Sequence, residues 1–318
     1  LEAWEGFNTK SDPSVRYTSK IIVDPLGHCL EGAEFFLPNS VMGRTALVLA
    51  QAYETFGIYD PKREEIGMIK NVTYYVMSSD DEAGTSAGQY WTSLEKFPEY
   101  IPTSYYFSGD GTASTNSPTS STPASTTYKY DPSNPIPTLG GNNLPASIGG
   151  SIPCGPLDQQ SIDSRSDMVV FNVAKSDSEI TMTGPLFAEL YVSSDMIDTD
   201  FMVRISDVYN DDAGTVRLLS DNSQRMRWRE NGLNPVPMEN GEIYKIEIPL
   251  WNTSYVVAPG HHLRFVVQSS NFPRFSVNNN NGVLLKDPSY PGDINVALNT
   301  IYHSAKYPSR VILPIIKE

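Results

Sequence analysis

Cysteine is scarce in this chain: the 318 residues contain two, Cys29 and Cys154. Two thiols cannot build a disulfide framework, and no Cys/His spacing of the kind that holds a metal occurs, so no metal site is expected. Cations are also few, with 23 Lys and Arg against 37 Asp and Glu, a formal net charge of −14 and a pI near 4.7. That balance argues against nucleic acid and against anionic membrane surfaces as partners, since both need a positive patch. No apolar run approaches the roughly 20 residues needed to span a bilayer, and no repeat of fixed period is visible. What remains is a soluble-type composition, 39% hydrophobic and 19% charged, on a chain long enough for two domains. The sequence opens on Leu1 and runs almost at once into LEAWEGF and an apolar strand. The expectation is that an amino-terminal portion is missing, cleaved, or carried on another chain.

That apolar strand organises the reading. Ile21, Ile22 and Val23 are β-branched, and Asp24, Pro25 and Gly27 break the run. The pattern predicts a buried parallel strand ending in a turn. His28 follows at the strand's carboxyl end, the edge where open α/β sheets gather ligands and catalytic groups. His28 reads as a catalytic base; a turn histidine with local hydrogen bonds is the other reading.

Around it the chain divides. LEAWEGF reads as the close of another strand. Ser40 is an N-cap candidate for a helix through MGRTALVLAQAYETFG, ended by Gly57. Asn71 to Met77 reads as a strand, and Trp91 and Phe97 as apolar anchors. Residues 111–127, GTASTNSPTSSTPASTT, lack the side chains to bury a core and predict a loop or linker. Beyond them ITMTGPLFAELYVSS, DFMVRISDVY, EIYKIEIPL and HHLRFVVQSS carry β-branched and apolar positions between turn residues. With no convincing helix between them, they predict a β-sandwich or jelly roll.

Chemistry-bearing motifs are sparse. Gly84-Thr85-Ser86-Ala87-Gly88 fits the G-x-S-x-G nucleophile elbow, but the flexible SSDDEA run stands where the strand should be, and Ser86 follows His28 instead of preceding it. It reads as a surface loop. Glu5 precedes His28, and an acid and a histidine on successive strand ends would fix the imidazole tautomer and stabilise its cation; an exposed Glu is the alternative. Asp200, Arg204, Asp207, Arg225, Arg227, Arg229 and Arg264 place charges in strands, where they predict ion pairs within the sheet or between domains. His261 and His262 lack the further ligands that a metal would need. Asn71-Val-Thr and Asn252-Thr-Ser would allow N-glycosylation in a secretory compartment.

Several long segments then carry a resemblance. YKYDPSNPIPTLGG (128–141), GPLDQQSIDSRSDMVVF (155–171), SSDMIDTDFMVRISDVY (193–209), RMRWRE (225–230), PGHHLRFVVQSSNFPRF (259–275) and the ending PSRVILPIIK resemble the CocE/NonD hydrolases, relatives of the X-Pro dipeptidyl-peptidases. The resemblance implies an α/β-hydrolase domain with a Ser-His-Asp triad and an inserted helical cap, followed by a jelly roll. It places His28 on the triad histidine and Glu5, in AWEGF, on the triad acid, a departure from the family's Asp. The nucleophile of that family precedes both and is not matched here. Phe7, Leu144 and Pro145 fall on positions near the acyl pocket, and His262 stands where the family has Arg.

The resulting expectation for the fold is α/β plus all-β. Residues 1–101 form the carboxy-terminal part of an α/β-hydrolase domain, and 102–318 a jelly-roll β-sandwich with a Ser/Thr-rich loop at 111–127. The expected activity is hydrolysis of acyl esters or X-Pro peptides without cofactor. His28 and Glu5 serve as catalytic residues, Phe7, Leu144 and Pro145 contact the substrate, and a second fragment supplies the serine. Partners are then an ester or short peptide, that fragment, and a second copy of the chain in a homo-oligomer. Secreted or lysosomal/vesicular placement is expected, with the cytoplasm as the other option. The main alternative is an inactive relative serving as a binding or structural module. A carbohydrate-binding sandwich is a third, disfavoured by the scattered Trp residues.

Overall fold

The computed structural model describes residues 2–16, 20–23, 25, 70–79, 88–122, 124–143, 152, 154–283 and 293–316. They form one helix, α1 (Glu2–Lys10), two short 3₁₀ turns and fourteen strands. The strands are β1 (Ile21–Val23), β2 (Val72–Ser78), β3 (Tyr90–Leu94), β4 (Tyr100–Phe107), β5 (Thr112–Ser114), β6 (Ser125–Tyr130) and β7 (Met168–Val173). They continue with β8 (Ile180–Ser194), β9 (Asp200–Val208), β10 (Val216–Arg225), β11 (Tyr244–Val257), β12 (His262–Gln268), β13 (Ala297–Tyr302) and β14 (Arg310–Ile316).

Hydrogen bonding runs in the order β1-β2-β11-β8-β14-β4-β5-β7-β12-β9-β10, with β13 and β6 beside β8 and β3 beside β2. Tyr105 of β4 meets Phe265 of β12, and the two ends of the path share one core, as two facing layers do. The reason lies in the period-2 pattern. On β8 Leu186, Ala188, Leu190 and Val192 are buried, and on β12 Leu263, Phe265 and Val267. β9 adds Phe201, Val203 and Ile205, and β11 adds Ile246, Ile248 and Leu250. Alternation of this kind gives each strand one apolar face, and two such faces close over each other. Phe107 of β4 stacks on Phe171 of β7 with ring centroids 4.0 Å apart.

β9 departs from simple alternation, because all nine of its residues are buried. Its outer face is covered from Gln159 to Asp163, with Ile136 nearby. There Ile136 and Ile162 pack with Met168 and Val266, and a polar clasp completes the cover. Arg204 donates to Gln159 Oε1 (2.9 Å) and Asp163 Oδ1 (2.8 Å), while Arg264 pairs with the other oxygen of Asp163. The charges in these strands are therefore paired inside the sandwich. Arg225 holds Asp200 at 2.8 Å and Arg227 holds Asp198 at 2.5 Å in the same manner.

Several expectations change. LEAWEGF is not a strand but helix α1. Its buried side chains recur at i and i+4, with Asn8 buried and Trp4 set edge-on against Phe97 at 5.9 Å, and Glu, Ala and Trp are adequate helix formers. β1 does run parallel to β2, with Ile21 opposite Val72, but it is only half-buried. The 111–127 run is not all loop: Ala113 is buried, and β5 pairs with β4 and β7, so neighbouring strands supply the order that composition does not. The helix expected over 40–57 lies outside the described residues. Of the α/β part, the described residues hold α1 and the parallel β1–β2 pair. β2 also pairs with β11, through Tyr255 and Met77, so strand pairing runs across the boundary expected at 101.

One pH effect follows from this layer. Burial, followed by the charges of Arg264, Lys175 and His261, pushes the His262 imidazole down to about 4 from 6.5. The unfolded chain takes up this proton near pH 6.5 and the folded chain only near 4. The unfolded state therefore binds more protons across that window, and stability falls as pH drops through it. His262→Gln should flatten the melting-temperature profile between pH 6.5 and 4 relative to wild type. Parallel profiles would show that His262 does not set this slope.

Candidate functional site

A cavity of about 1220 Å³ lies where α1 and the β1–β3 strands meet the sandwich. α1 contributes Trp4, Glu5, Asn8 and Thr9, a single helical stripe. The end of β1 contributes Val23 and Pro25, and β2 contributes Tyr74, Tyr75 and Met77. The far wall is β8 from Thr183 to Phe187 and β11 from Pro249 to Ser254.

The sandwich wall is shaped by an irregularity. The β11–β8 register shifts between Pro249 and Asn252, and Trp251 sits at φ 69° with its side chain exposed. A bulky residue in the left-handed region is costly and marks a bulge that re-aims side chains. Opposite it, Gly184 has φ 135°, and a Cβ there would stand 3.0 Å from Pro314 Cβ and 3.1 Å from the Tyr100 ring. Only glycine lets those three strands approach so closely.

The cavity wall is mostly apolar, with polar side chains set among the aromatic ones. Thr183 and Ser254 hydroxyls satisfy each other at 2.9 Å. Glu95 accepts from the Asn71 amide at 3.2 Å, and Lys96 is turned to Glu99 at 3.0 Å. Glu5 is exposed on α1, and no hydrogen bond to its carboxylate is found among the described residues. The site is thus an apolar, aromatic-walled space with carboxylates at its edge.

The expected site residues divide as follows. Glu5 lines this cavity together with Val23 and Pro25, the residues leading toward position 28, but from a helix and not from a strand end. Phe7 is 45% exposed and lies off the stripe that faces the cavity, because it is about 130° round the helix from that stripe's centre. His28, Leu144, Pro145 and Ser86 lie outside the described residues. Asn142, just before Leu144, is on the cavity wall.

A carboxylate–imidazole pair that sequence reasoning did not join lies elsewhere, in the sandwich core. His261 Nδ1 is 3.2 Å from Asp207 Oδ2, which also accepts the Tyr255 hydroxyl at 2.8 Å. Tyr209 stacks on the imidazole at 4.7 Å. His261 is 2% exposed, so no substrate reaches it. The pair satisfies buried polar groups and closes the β11–β12 turn. Spacing gave no signal for it, since the two residues meet only through the β9–β12 pairing. Among the described residues no cluster of His, Cys, Asp and Glu could hold a metal ion.

Taken together, the described residues form a β-sandwich with a short parallel-strand appendage. The chain belongs to the family of X-Pro dipeptidyl-peptidase C-terminal non-catalytic domains, which it matches over residues 69–312. It is 37% identical over 227 residues to the cocaine esterase of Rhodococcus sp. (strain MB1 Bresler), covering 69% of this chain and 38% of that protein. An aminopeptidase from a marine sediment archaeon, Thaumarchaeota archaeon, superposes with a TM-score of 0.78 at 23% identity, over 94% of this chain and 49% of that one. A CocE/NonD family hydrolase from Staphylococcus aureus gives 0.58 at 18%, over 87% and 47%. The chain therefore spans two fifths to one half of the length of these relatives. The family match begins at residue 69, so β2 and β3 fall inside the non-catalytic domain and Glu5 and His28 outside it.

Proposed function

We propose that this chain is the carboxy-terminal portion of a CocE/NonD-type serine hydrolase, with a jelly roll built from β4 to β14. Residues 1–68 supply the histidine and acid of a Ser-His-acid triad, and polypeptide beyond these 318 residues supplies the serine. That serine attacks an ester or amide carbonyl, His28 accepts its proton and delivers it to the leaving group, and Glu5 orients His28. Water then repeats the sequence to free the acid. No metal or organic cofactor is required, and the substrates are acyl esters or peptides with a penultimate proline.

The supporting observation is the shared cavity: Glu5 and the end of β1, three residues before His28, line one space. The half-exposed β1 supports the need for a partner, because parallel strands ordinarily have neighbours and cover on both faces. The second reading, an inactive binding or structural module, is favoured by the non-catalytic character of the matched family over 69–312. Peptide mapping of the purified protein and labelling with a fluorophosphonate probe separate the two. A labelled serine on a co-purifying or contiguous segment is expected. An unlabelled preparation that does not hydrolyse a p-nitrophenyl ester would leave the module reading.

A further inference from the structure

Residues 111–127 hold eleven Ser and Thr and no charged residue. We propose that the exposed part of this run, 115–121, is a site of O-glycosylation, with Thr115, Ser117, Thr119 and Ser121 as the acceptor hydroxyls. The site stands apart from the cavity, whose wall includes no residue of the run.

The fold divides the hydroxyls of the run into two sets. Those toward its ends are used. Thr112 Oγ1 donates to Asp110 Oδ1 at 2.6 Å, Thr126 Oγ1 meets His303 Nε2 at 3.0 Å, and Thr127 Oγ1 meets Thr300 Oγ1 at 2.8 Å. Ser114 and Ser120 each accept the backbone N–H two residues on, from Asn116 and Thr122. Thr115, Ser117, Thr119 and Ser121 are exposed, and their hydroxyls make no hydrogen bond among the described residues. They fall at every second position, on a loop that is held rather than free. The Ser120 carbonyl accepts the Ala305 N–H at 3.1 Å, the Ala124 carbonyl accepts the His303 N–H at 2.9 Å, and Pro118 is half-buried. Pro118 fixes its own φ and biases Ser117 toward an extended backbone, which keeps the hydroxyls on either side open to a transferase.

Composition points the same way. An exposed loop ordinarily stays solvated through charge. This chain has 37 Asp and Glu and 23 Lys and Arg, yet none falls between Asp110 and Lys129. Ser- and Thr-rich tracts with Pro are the composition of O-glycosylated stalks, where sugar supplies the hydration. Two other features accord with the compartment in which such transfer occurs. Cys154 is disulfide-bonded, a state that persists in oxidising surroundings. Asn252, of the Asn-Thr-Ser tripeptide, is exposed at the β11 register shift.

The step is a group transfer from a phosphate-activated sugar, a nucleotide or polyprenyl sugar, on a transferase. The Ser or Thr hydroxyl oxygen attacks the anomeric carbon, and a glycosidic C–O bond forms. The bond from that carbon to the phosphate oxygen breaks, and the phosphate leaves with the electron pair. The hydroxyl proton passes to the base of the transferase.

Tryptic mapping of the full protein purified from its own source tests this. Lys96 and Lys129 bound one peptide, 97–129, that contains the whole loop. It should run heavier than its sequence by whole hexose or N-acetylhexosamine units and lose them on alkaline β-elimination. Electron-transfer fragmentation should place them on Thr115, Ser117, Thr119 or Ser121, and leave Thr126 and Thr127 bare. Replacing those four residues with alanine in the same host should return the peptide to its sequence mass, with the melting temperature unchanged because the four hydroxyls hold nothing in the fold. An unmodified peptide, phosphate in place of sugar, or sugar confined to the hydrogen-bonded hydroxyls would each overturn the site. The readout needs no catalytic activity.

Discussion

Replacing Arg227 with alanine is expected to destabilise the protein by about 3 kcal/mol, the low end of the range for breaking a buried ion pair. Asp198, at the entry to β9, is fully buried. Arg227 reaches it from a 3₁₀ turn, with Nε 2.6 Å and Nη2 2.5 Å from Asp198 Oδ2, and its Nη1 donates to the Val283 carbonyl at 2.9 Å. Removing the guanidinium strands a carboxylate in a low-dielectric interior, and the desolvation penalty it then carries is far larger than the value of a surface pair. The loss is held to the low end because two donors stay. The Arg227 backbone N–H remains 2.9 Å from Oδ1, and the Asn278 amide remains 2.8 Å from Oδ2. Arg227→Lys should recover part of the loss, keeping the charge without the fork. Asp198→Leu with Arg227→Met should cost less than Arg227→Ala, because no uncompensated charge is left. Urea unfolding followed by tryptophan fluorescence measures all of these. A change in unfolding free energy below about 0.5 kcal/mol for Arg227→Ala, the scatter of ordinary surface substitutions, would refute the argument.

The same cluster shows what the sequence could and could not reveal. Arg225, Arg227 and Asp200 are visible as charges in strand-like text, and cost alone predicts that they are paired. Which charge meets which is not visible, because Asp198 and Asn278 arrive from separate connections that only the folded sheet order brings to Arg227 and Asp200. The long central strands β8, β9, β11 and β12 were readable because an apolar face writes a period of two into the chain. β10, VRLLSDNSQR, was not: Arg217, Asp221 and Arg225 interrupt the pattern, and each faces a polar residue on β9 (Asp207, Arg204 and Asp200). β5 was lost in a Ser/Thr-rich run for want of more than one apolar residue. Helix α1 was misread because Trp4 and Phe7 in LEAWEGF suit a strand end as well as a helix, and what decides is Phe97, more than ninety residues away. The cavity was illegible for the same reason. Its walls come from eight separate stretches, and Trp251, its most exposed aromatic, is marked only by a bulge that no local motif announces.

The division of labour along the chain bears on where activity can be lost without loss of fold. Residues 69–312 match a non-catalytic domain and hold the hydrophobic core. The candidate acid lies outside them on an exposed face of α1, and the candidate base follows β1, a three-residue strand whose contacts to β2 are few. Substitutions there should therefore separate catalysis from stability cleanly, whereas substitutions in the sandwich should move both.

His28→Ala in the complete active enzyme should accordingly lower hydrolysis of a p-nitrophenyl ester on the order of 10⁴-fold or more, the scale seen when a triad member is removed, with the melting temperature within a degree or two of wild type. The imidazole both takes the serine proton and returns it, and Lys96, the cation on the described cavity wall, is engaged by Glu99. The acid limb of the wild-type pH–rate profile, set by protonation of the base, should vanish from whatever rate remains. Glu5→Gln should lower kcat with KM little changed, by less than His28→Ala, since an exposed helical carboxylate constrains its partner more weakly than a buried one. Ser86→Ala should change nothing, because the G-x-S-x-G text there lacks the strand that would make it an elbow. Retained turnover in His28→Ala would remove this imidazole from the mechanism, and a loss of turnover in Ser86→Ala would move the nucleophile into this chain and change the account of what the partner supplies.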